Sequence, residues 1–385
     1  MSAQLVKQEP EYKETELGML PIDWNVRKIK DLAEVKYGKS NPRDLGNIPV
    51  IGSSGVFSHT SKPLVNFPTI VIGRKGNAGK AWLFMKPCFP SDTTFYLEWK
   101  EKVDVKYLFE YLTFNPLSGE HAKTTVPSLT RPDLENQKVP LPPLPEQKSI
   151  AYVLSTIKSS LEKTGNVINS LLGLKKSLMK HLFTYGAVRF EDANKVKLKE
   201  SEIGMIPEGW KVKELKEIAT LQRGKDLPKQ EWKKGTVPII GSSGIMGYHE
   251  EAVCEGPGVV TGRSGSIGKV TYIEGDYWPH NTALYVKDFH ENDTRFVYYL
   301  MQTLDFEKYA TGVSVPTLNR NFIHMAKKAV PPLPAQQEIA SFLSIIDSNI
   351  GYEENKKKAL GQLFKSTLYN LMSAKIRLKD SNLVA

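Results

Sequence analysis

Two glycine-rich stretches carry the most suggestive side-chain spacing in the chain. Residues 71–80 read VIGRKGNAGK and residues 260–269 read VTGRSGSIGK, so each sets an arginine and a lysine among three glycines. Such loops can cradle phosphate, but the spacing rules out both familiar forms. A P-loop needs glycine where Arg74 and Arg263 stand and Ser/Thr where Ala81 and Val270 stand, and the dinucleotide fingerprint needs GxGxxG rather than GxxGxxG. What remains is a strand, a tight basic turn and a second strand. One reading is a structural hairpin with solvated cations. The other is a loop whose glycines let the backbone approach a nucleic acid while Arg74, Lys75, Lys80, Arg263, Ser264 and Lys269 meet phosphates or base edges.

IGSSG also occurs twice, at 51–55 and 240–244, followed by Phe57 and His59 in one place and by Tyr248 and His249 in the other. A nucleophile elbow requires GxSxG, and this run is one residue too short. Ser53, Ser54, Ser242 and Ser243 therefore belong either to plain turns or to hydroxyl-bearing loops facing a polyanion. A third pair, HAKTTVPSLTR at 121–131 and YATGVSVPTLNR at 309–320, ends on Arg131 and Arg320. Each arginine follows a Thr or Asn able to cap a short helix, whose N-terminus favours phosphate; an internal salt bridge is the competing reading. Lys123 and Thr124 in the first of these runs join the candidate contacts.

No acidic constellation is repeated. Asp133 and Glu135 correspond to Phe322 and His324, and Asp92 to Asn281. Asn115-Pro116 is followed by Leu117, not by the Pro-aromatic pair an amino-methyltransferase uses, and the seven histidines show no HxxxH or metal-ligand spacing. These residues give no reason to expect catalysis or a metal.

The elements that position the loops come from a duplication. The run at 142–182, opening PPLPEQ, places Leu154, Ile157, Leu161, Ile168, Leu171, Leu178 and Leu182 at the threes and fours of a helical seam, with Pro145 suited to its first turn. Thr164 and Lys175 fall on the same seam and make it imperfect. A second such run, opening PPLPAQ, starts 189 residues later at Pro331 and carries Gln336, Leu343, Ile346, Ile350 and Phe364. The copies open on ELGMLPIDW at 16–24 and EIGMIPEGW at 202–210, a shift of 186 that becomes 189 from IPVIGSSG onward. Within the first copy the sequence predicts a short helix at 26–35, strands near 48–51, 69–72, 81–85 and 93–97, and an amphipathic helix at 104–114. The second copy repeats them, with a short helix at 212–221, strands near 237, 258, 270 and 283, and the amphipathic helix at 293–303.

The expected fold is α+β: two tandem similar globular domains separated by a long antiparallel two-helix coiled coil with pseudo-twofold symmetry. Its segments are 1–144, 145–189, 190–333 and 334–385, with Gly186 closing the first long helix before a charged connector. A helix of about 38 residues spans ~57 Å, a scale at which two readers could touch separate places on a duplex.

An excess of 52 Lys+Arg over 42 Asp+Glu, net charge +10 and a sequence pI of about 9.2 favour a polyanionic partner or an acidic membrane surface. Two cysteines, at unmatched repeat positions, indicate neither a disulfide nor a duplicated metal site and fit a reducing cytoplasm. The first residues lack signal-peptide character, and no run approaches 18 apolar residues.

Taken in order, the doubled GxxPxxW opening, GRxGxxGK loop, P-[ST]-L segment and PPLPxQxxI start of a long helix resemble the specificity subunit of type I restriction-modification systems. The resemblance covers nearly the whole chain. It implies two target recognition domains, each reading half of a bipartite asymmetric DNA sequence. It further implies helices that space the domains and dock two methyltransferase subunits, with restriction subunits joining them. Glu146, Gln147, Leu154, Ile157, Leu161, Ile168, Leu171, Gln336, Leu343, Ile346, Ile350 and Phe364 are the implied docking residues. Glu146 is matched by Ala335, so the two docking surfaces are not identical. The resemblance implies that this chain is non-catalytic and holds no cofactor, with S-adenosylmethionine, ATP and magnesium on the partners. Self-association of the free chain stays open, as do two alternatives: a single-chain endonuclease or methylase, and a coiled-coil scaffold without a DNA role.

Overall fold

Thr69–Gly73 is buried along its whole length and forms an inner strand, as a β-branched run bounded by polar turns should. It belongs to a four-stranded antiparallel sheet in the order Ala33–Tyr37, Thr94–Trp99, Thr69–Gly73, Ala81–Phe84. Beside it Ile48–Gly52 pairs antiparallel with Gly55–Thr60 and parallel with Phe89–Pro90. The computed structural model describes residues 11–117, 128–312 and 316–379. These fall into two compact units: the described parts of 1–165 and 356–385 make one, and 166–355 makes the other. The second unit repeats the first, with a sheet in the order Thr220–Arg223, Ala283–Asp288, Gly258–Gly262, Val270–Ile273 and a three-stranded companion built on Val237–Gly241.

The amphipathic helices form as expected. Val105–Phe114 is N-capped by Asp104, whose carboxylate accepts the Tyr107 N–H at 2.9 Å, and it buries Tyr107, Leu108, Tyr111 and Leu112. Thr294–Gln302 is capped in the same way by Asp293.

The short helices expected at 26–35 and 212–221 are replaced by a strand, one helical turn and a second strand: Asn25–Lys28, Ile29–Leu32 and Ala33–Tyr37 in the first unit, and Lys211–Glu214, Leu215–Ile218 and Thr220–Arg223 in the second. Ile29, Leu32 and Val35 do have helical spacing and are buried. The backbone on either side is instead claimed by distant strands: Asn25–Lys28 pairs with Lys138–Leu141, and Ala33–Tyr37 with Thr94–Trp99.

The long helices are Leu144–Tyr185 and Leu333–Met372, and each contributes to both units. In the first unit Lys158 Nζ lies 5.1 Å from the Phe364 ring centre and Gly165 lies beside Lys357, so the helices run antiparallel. In the second unit Lys175 pairs with Asp347 at 2.7 Å, and Leu182 shares a core with Ile339 and Leu343. The two weak points of the seam are thereby accommodated. Thr164 is buried, and Lys175 has its carboxylate and the Tyr299 ring 5.4 Å away. Gly186 ends the first long helix at φ +86°, a conformation open to glycine. No helix among the described residues is long and apolar enough to cross a membrane.

Candidate nucleic-acid interface

The three duplicated motifs, far apart in sequence, meet in each unit. In the first, the loop between Thr69–Gly73 and Ala81–Phe84 is closed by Gly73 N–H donating to the Lys80 carbonyl at 2.9 Å. Arg74 then links two neighbours: its N–H donates to the Thr93 carbonyl at 2.9 Å and its carbonyl accepts the Leu129 N–H at 2.8 Å. The serine turn docks on the same loop, with Ser53 N–H donating to Thr93 Oγ1 and Asn77 Nδ2 donating to Ser54 Oγ, both at 3.2 Å. In the second unit Arg263 N–H donates to the Thr282 carbonyl at 2.9 Å, the Leu318 N–H donates to the Arg263 carbonyl at 2.7 Å, and Lys269 Nζ donates to the Ser243 carbonyl. Ser128 pairs with Lys75, and Thr317 with Ser264, at the same place in the two units.

Gly73 and Gly262 explain the first glycine of the motif. A side chain on either would collide with the carbonyl of Asn77 or Ser266 across the turn. The P-loop alternative fails in structure as in sequence, because the backbone turns onto the serine loop rather than into a helix.

The cations differ in what surrounds them. Lys75, Lys80, Lys269 and Arg320 are exposed and form no ion pair with a carboxylate among the described residues. Lys80 Nζ lies 5.5 Å from the Trp82 ring centre and the Arg74 guanidinium 5.4 Å from that of Tyr37. Arg263 is half-buried and donates to the Asn281 carbonyl; burial first, and the charge of Arg223 second, hold its pKa below the usual arginine value. Arg131 takes the internal alternative: it pairs with Glu135 at 2.6 Å, a bond that raises its pKa, on the short helix capped by Thr130. Arg320 follows the Asn319 cap and has no such acid. Lys123 and Thr124 lie outside the described residues.

Sequence reasoning missed the residue on which each site is hung. Thr93 and Thr282 stand 189 residues apart, and both receive the arginine N–H of the loop; their coincidence in the repeat was the available signal. Beside Thr93 a cavity of about 330 Å³ is lined by Asn41, Ser53, Ser54, Phe57, Ser91 and Asp92. The second unit places His280 and Asn281 where the first has Ser91 and Asp92. Burial pushes the His280 pKa below its ordinary value, and Nδ1 lies 3.1 Å from Thr282 Oγ1.

The implied docking residues divide by burial. Leu154, Ile168, Leu343, Ile346 and Ile350 are buried, while Ile157, Leu161, Leu171 and Phe364 are partly so, lining the seam. Glu146, Gln147 and Gln336 are only 1%, 2% and 3% exposed. Gln147 accepts the Asp104 N–H at 2.9 Å and donates to the Pro142 carbonyl at 2.8 Å; Gln336 does the same with Asp293 and Pro331, at 3.0 Å each. The glutamine of PPLPxQ therefore ties the proline turn to the cap of the amphipathic helix, which leaves it no surface for a partner. Both cysteines are free thiols, one in each unit; burial raises the pKa of Cys88 to about 12.

The structure thus presents one cation-bearing loop twice, on matched scaffolds with unlike neighbours, as a duplicated two-unit protein does. The chain belongs to the family of the type I restriction modification DNA specificity domain, whose model matches residues 21–171 and 207–362. It is 28% identical over 421 residues to the type I restriction enzyme MjaVIII specificity subunit of Methanocaldococcus jannaschii, covering 97% of this chain and 98% of that one. The Escherichia coli EcoprrI specificity subunit is 25% identical over 297 residues, 73% of this chain and 71% of that one. The crystal structure of a type I restriction-modification S subunit from M. genitalium superimposes with a TM-score of 0.71 at 19% identity, covering 94% of this chain and 99% of that one.

Proposed function

We propose that this chain is the non-catalytic DNA-specificity subunit of a type I restriction-modification complex, each unit contacting one half of a bipartite, asymmetric target. One observation carries this reading: the same three motifs converge in both units while the residues around them differ. Lys75 stands where Ser264 does, Trp82 where Thr271 does, and Ser91-Asp92 where His280-Asn281 do. Matched frameworks with unlike side chains suit two different half-sites, because base discrimination rests on which donors and acceptors reach the groove.

The outward sides of the long helices expose Tyr152, Leu172, Leu174, Phe342, Ile345 and Tyr352, apolar groups that suit docking of two methyltransferase subunits, with restriction subunits added to that core. S-adenosylmethionine, ATP and magnesium act on those partners, in the cytoplasm, and this chain turns over no substrate alone. Selection of bound duplexes from a random pool, with the methyltransferase present, tests the reading. The expected product is a two-part motif with a fixed gap. A single contiguous motif, no enrichment, or methylation or cleavage by the isolated chain would overturn it.

A further inference from the structure

The repeat lets each position of the first half be compared with its counterpart in the second, and at two partly buried places the counterparts have different charge. The first lies along the helix seam. In the first unit Glu110, 5% exposed, binds Lys158 at 2.6 and 2.8 Å, and the lysine is flanked by Phe364. In the second unit the same three positions are Tyr299, Asp347 and Lys175: the Tyr299 hydroxyl donates to Asp347 at 2.8 Å and Lys175 pairs with it at 2.7 Å. The second place is the C-terminal segment of the first unit. Arg377 donates twice to Glu146 at 2.7 Å and to Asp23 at 2.8 Å, while the Trp24 indole N–H donates to Glu146 at 3.1 Å. The counterparts of Asp23 and Glu146 are Gly209 and Ala335, while that of Arg377, counted from the positive-φ residues Gly186 and Ala374 that end the two long helices, is Arg189, which pairs with Glu191 at 3.4 Å.

Each cluster draws residues from both halves of the sequence, 1–189 and 190–385, within a single unit. We infer that these helix faces form a matched pair in which each half of the chain selects the other half and rejects a second copy of itself. A first half facing its own copy sets Lys158 against Lys175. A second half facing its own copy leaves Asp347 beside Phe364 with no cation, and Arg377 beside Ala335 with no acid. Breaking a buried pair by removing one partner is far more costly than replacing the whole set by packed apolar residues. The seam cluster disfavours both self-pairings, and the C-terminal cluster disfavours that of the second half.

Substitutions in the full chain reproduce each mismatch. Asp347→Lys creates that of the first half; Lys175→Phe, and Asp23→Gly with Glu146→Ala, create those of the second. Each mismatched variant is expected to lower Tm by about 6 °C or more. The compensated sets, Asp23→Gly with Glu146→Ala and Arg377→Val, and Tyr299→Glu with Asp347→Lys and Lys175→Phe, are expected to recover at least half of the loss, because the first removes the cation together with its acids and the second transplants the set of the other unit. A mismatched variant that fails to fold while its compensated set folds supports the inference equally. Compensated sets no more stable than the worst mismatched variant, or mismatched variants within about 1 °C of the parent chain, would overturn it.

Discussion

Lys80 and Lys269 occupy the same place in the two glycine loops, are exposed, and are held at the rim by Trp82 and by the Ser243 carbonyl. Replacing each with glutamine removes one charge per unit with little change of shape. If the four exposed cations Lys75, Lys80, Lys269 and Arg320 each neutralise one phosphate, log K falls against log salt with a slope of about −3.6, at ~0.9 per contact. Between 50 and 200 mM salt, affinity then drops roughly 150-fold. Each single variant should reduce the slope by ~0.9, and the double variant should retain a slope of about −1.8 and lose only ~12-fold over the same range. Fluorescence anisotropy with a labelled duplex at five salt concentrations measures this directly. Because phosphate carries no sequence information, the weakening should be uniform across duplexes. A double variant with the parental slope, or one whose loss is confined to particular sequences, would refute the assignment of these lysines to phosphate.

Three further outcomes are expected of this chain. Gly73→Ala places a methyl group against the Asn77 carbonyl and should weaken DNA binding at least tenfold while leaving the far-UV circular dichroism intact; unchanged binding would show that the turn tolerates a side chain. Gln147→Ala leaves the Asp104 N–H and the Pro142 carbonyl without their partner, at a cost of about 1–3 kcal/mol, measurable as a lower denaturation midpoint; a midpoint equal to the parent's would remove the tie described for PPLPxQ. His280 and His324 both have pKa values lowered by burial, and His324 Nε2 accepts the Leu221 N–H at 2.9 Å, so the folded chain favours their neutral forms. Their stabilisation is complete above the unfolded value near 6.5 and is lost as pH falls through the lower folded values. Tm should therefore decline from pH 7 to pH 5, and the decline should flatten in His324→Gln; parallel Tm curves for the two proteins would contradict this.

The duplication made most of the architecture legible. Runs such as 69–72 and 258–262 are β-branched, sit at one spacing and become inner strands, and Asp104 and Asp293 announced their helices by capping chemistry. Residues 26–35 misled because Ile29, Leu32 and Val35 fit a helical period while the pairing that decides their backbone comes from Lys138–Leu141 and Thr94–Trp99, to which local pattern is blind. At the site the loops were readable from glycine spacing, but Thr93 and Thr282 were not, since a threonine in a strand-rich segment has ample reason to be there. The Glu146 to Ala335 difference was visible as a departure between the copies. Its cause was not, because Arg377 stands 231 residues from Glu146 and no local pattern links the two.

The first unit is assembled from both ends of the chain, whereas the second is one uninterrupted stretch, 166–355. During translation the second unit can therefore close as soon as its last residue clears the ribosome. The first must wait, its seam unsealed, for some 190 further residues, which at 5–20 residues per second is about 10–40 s. A chain cut soon after residue 355 would leave the later-made unit whole and the earlier-made one open, because Leu368, Leu371 and Met372 belong to the core of the first unit.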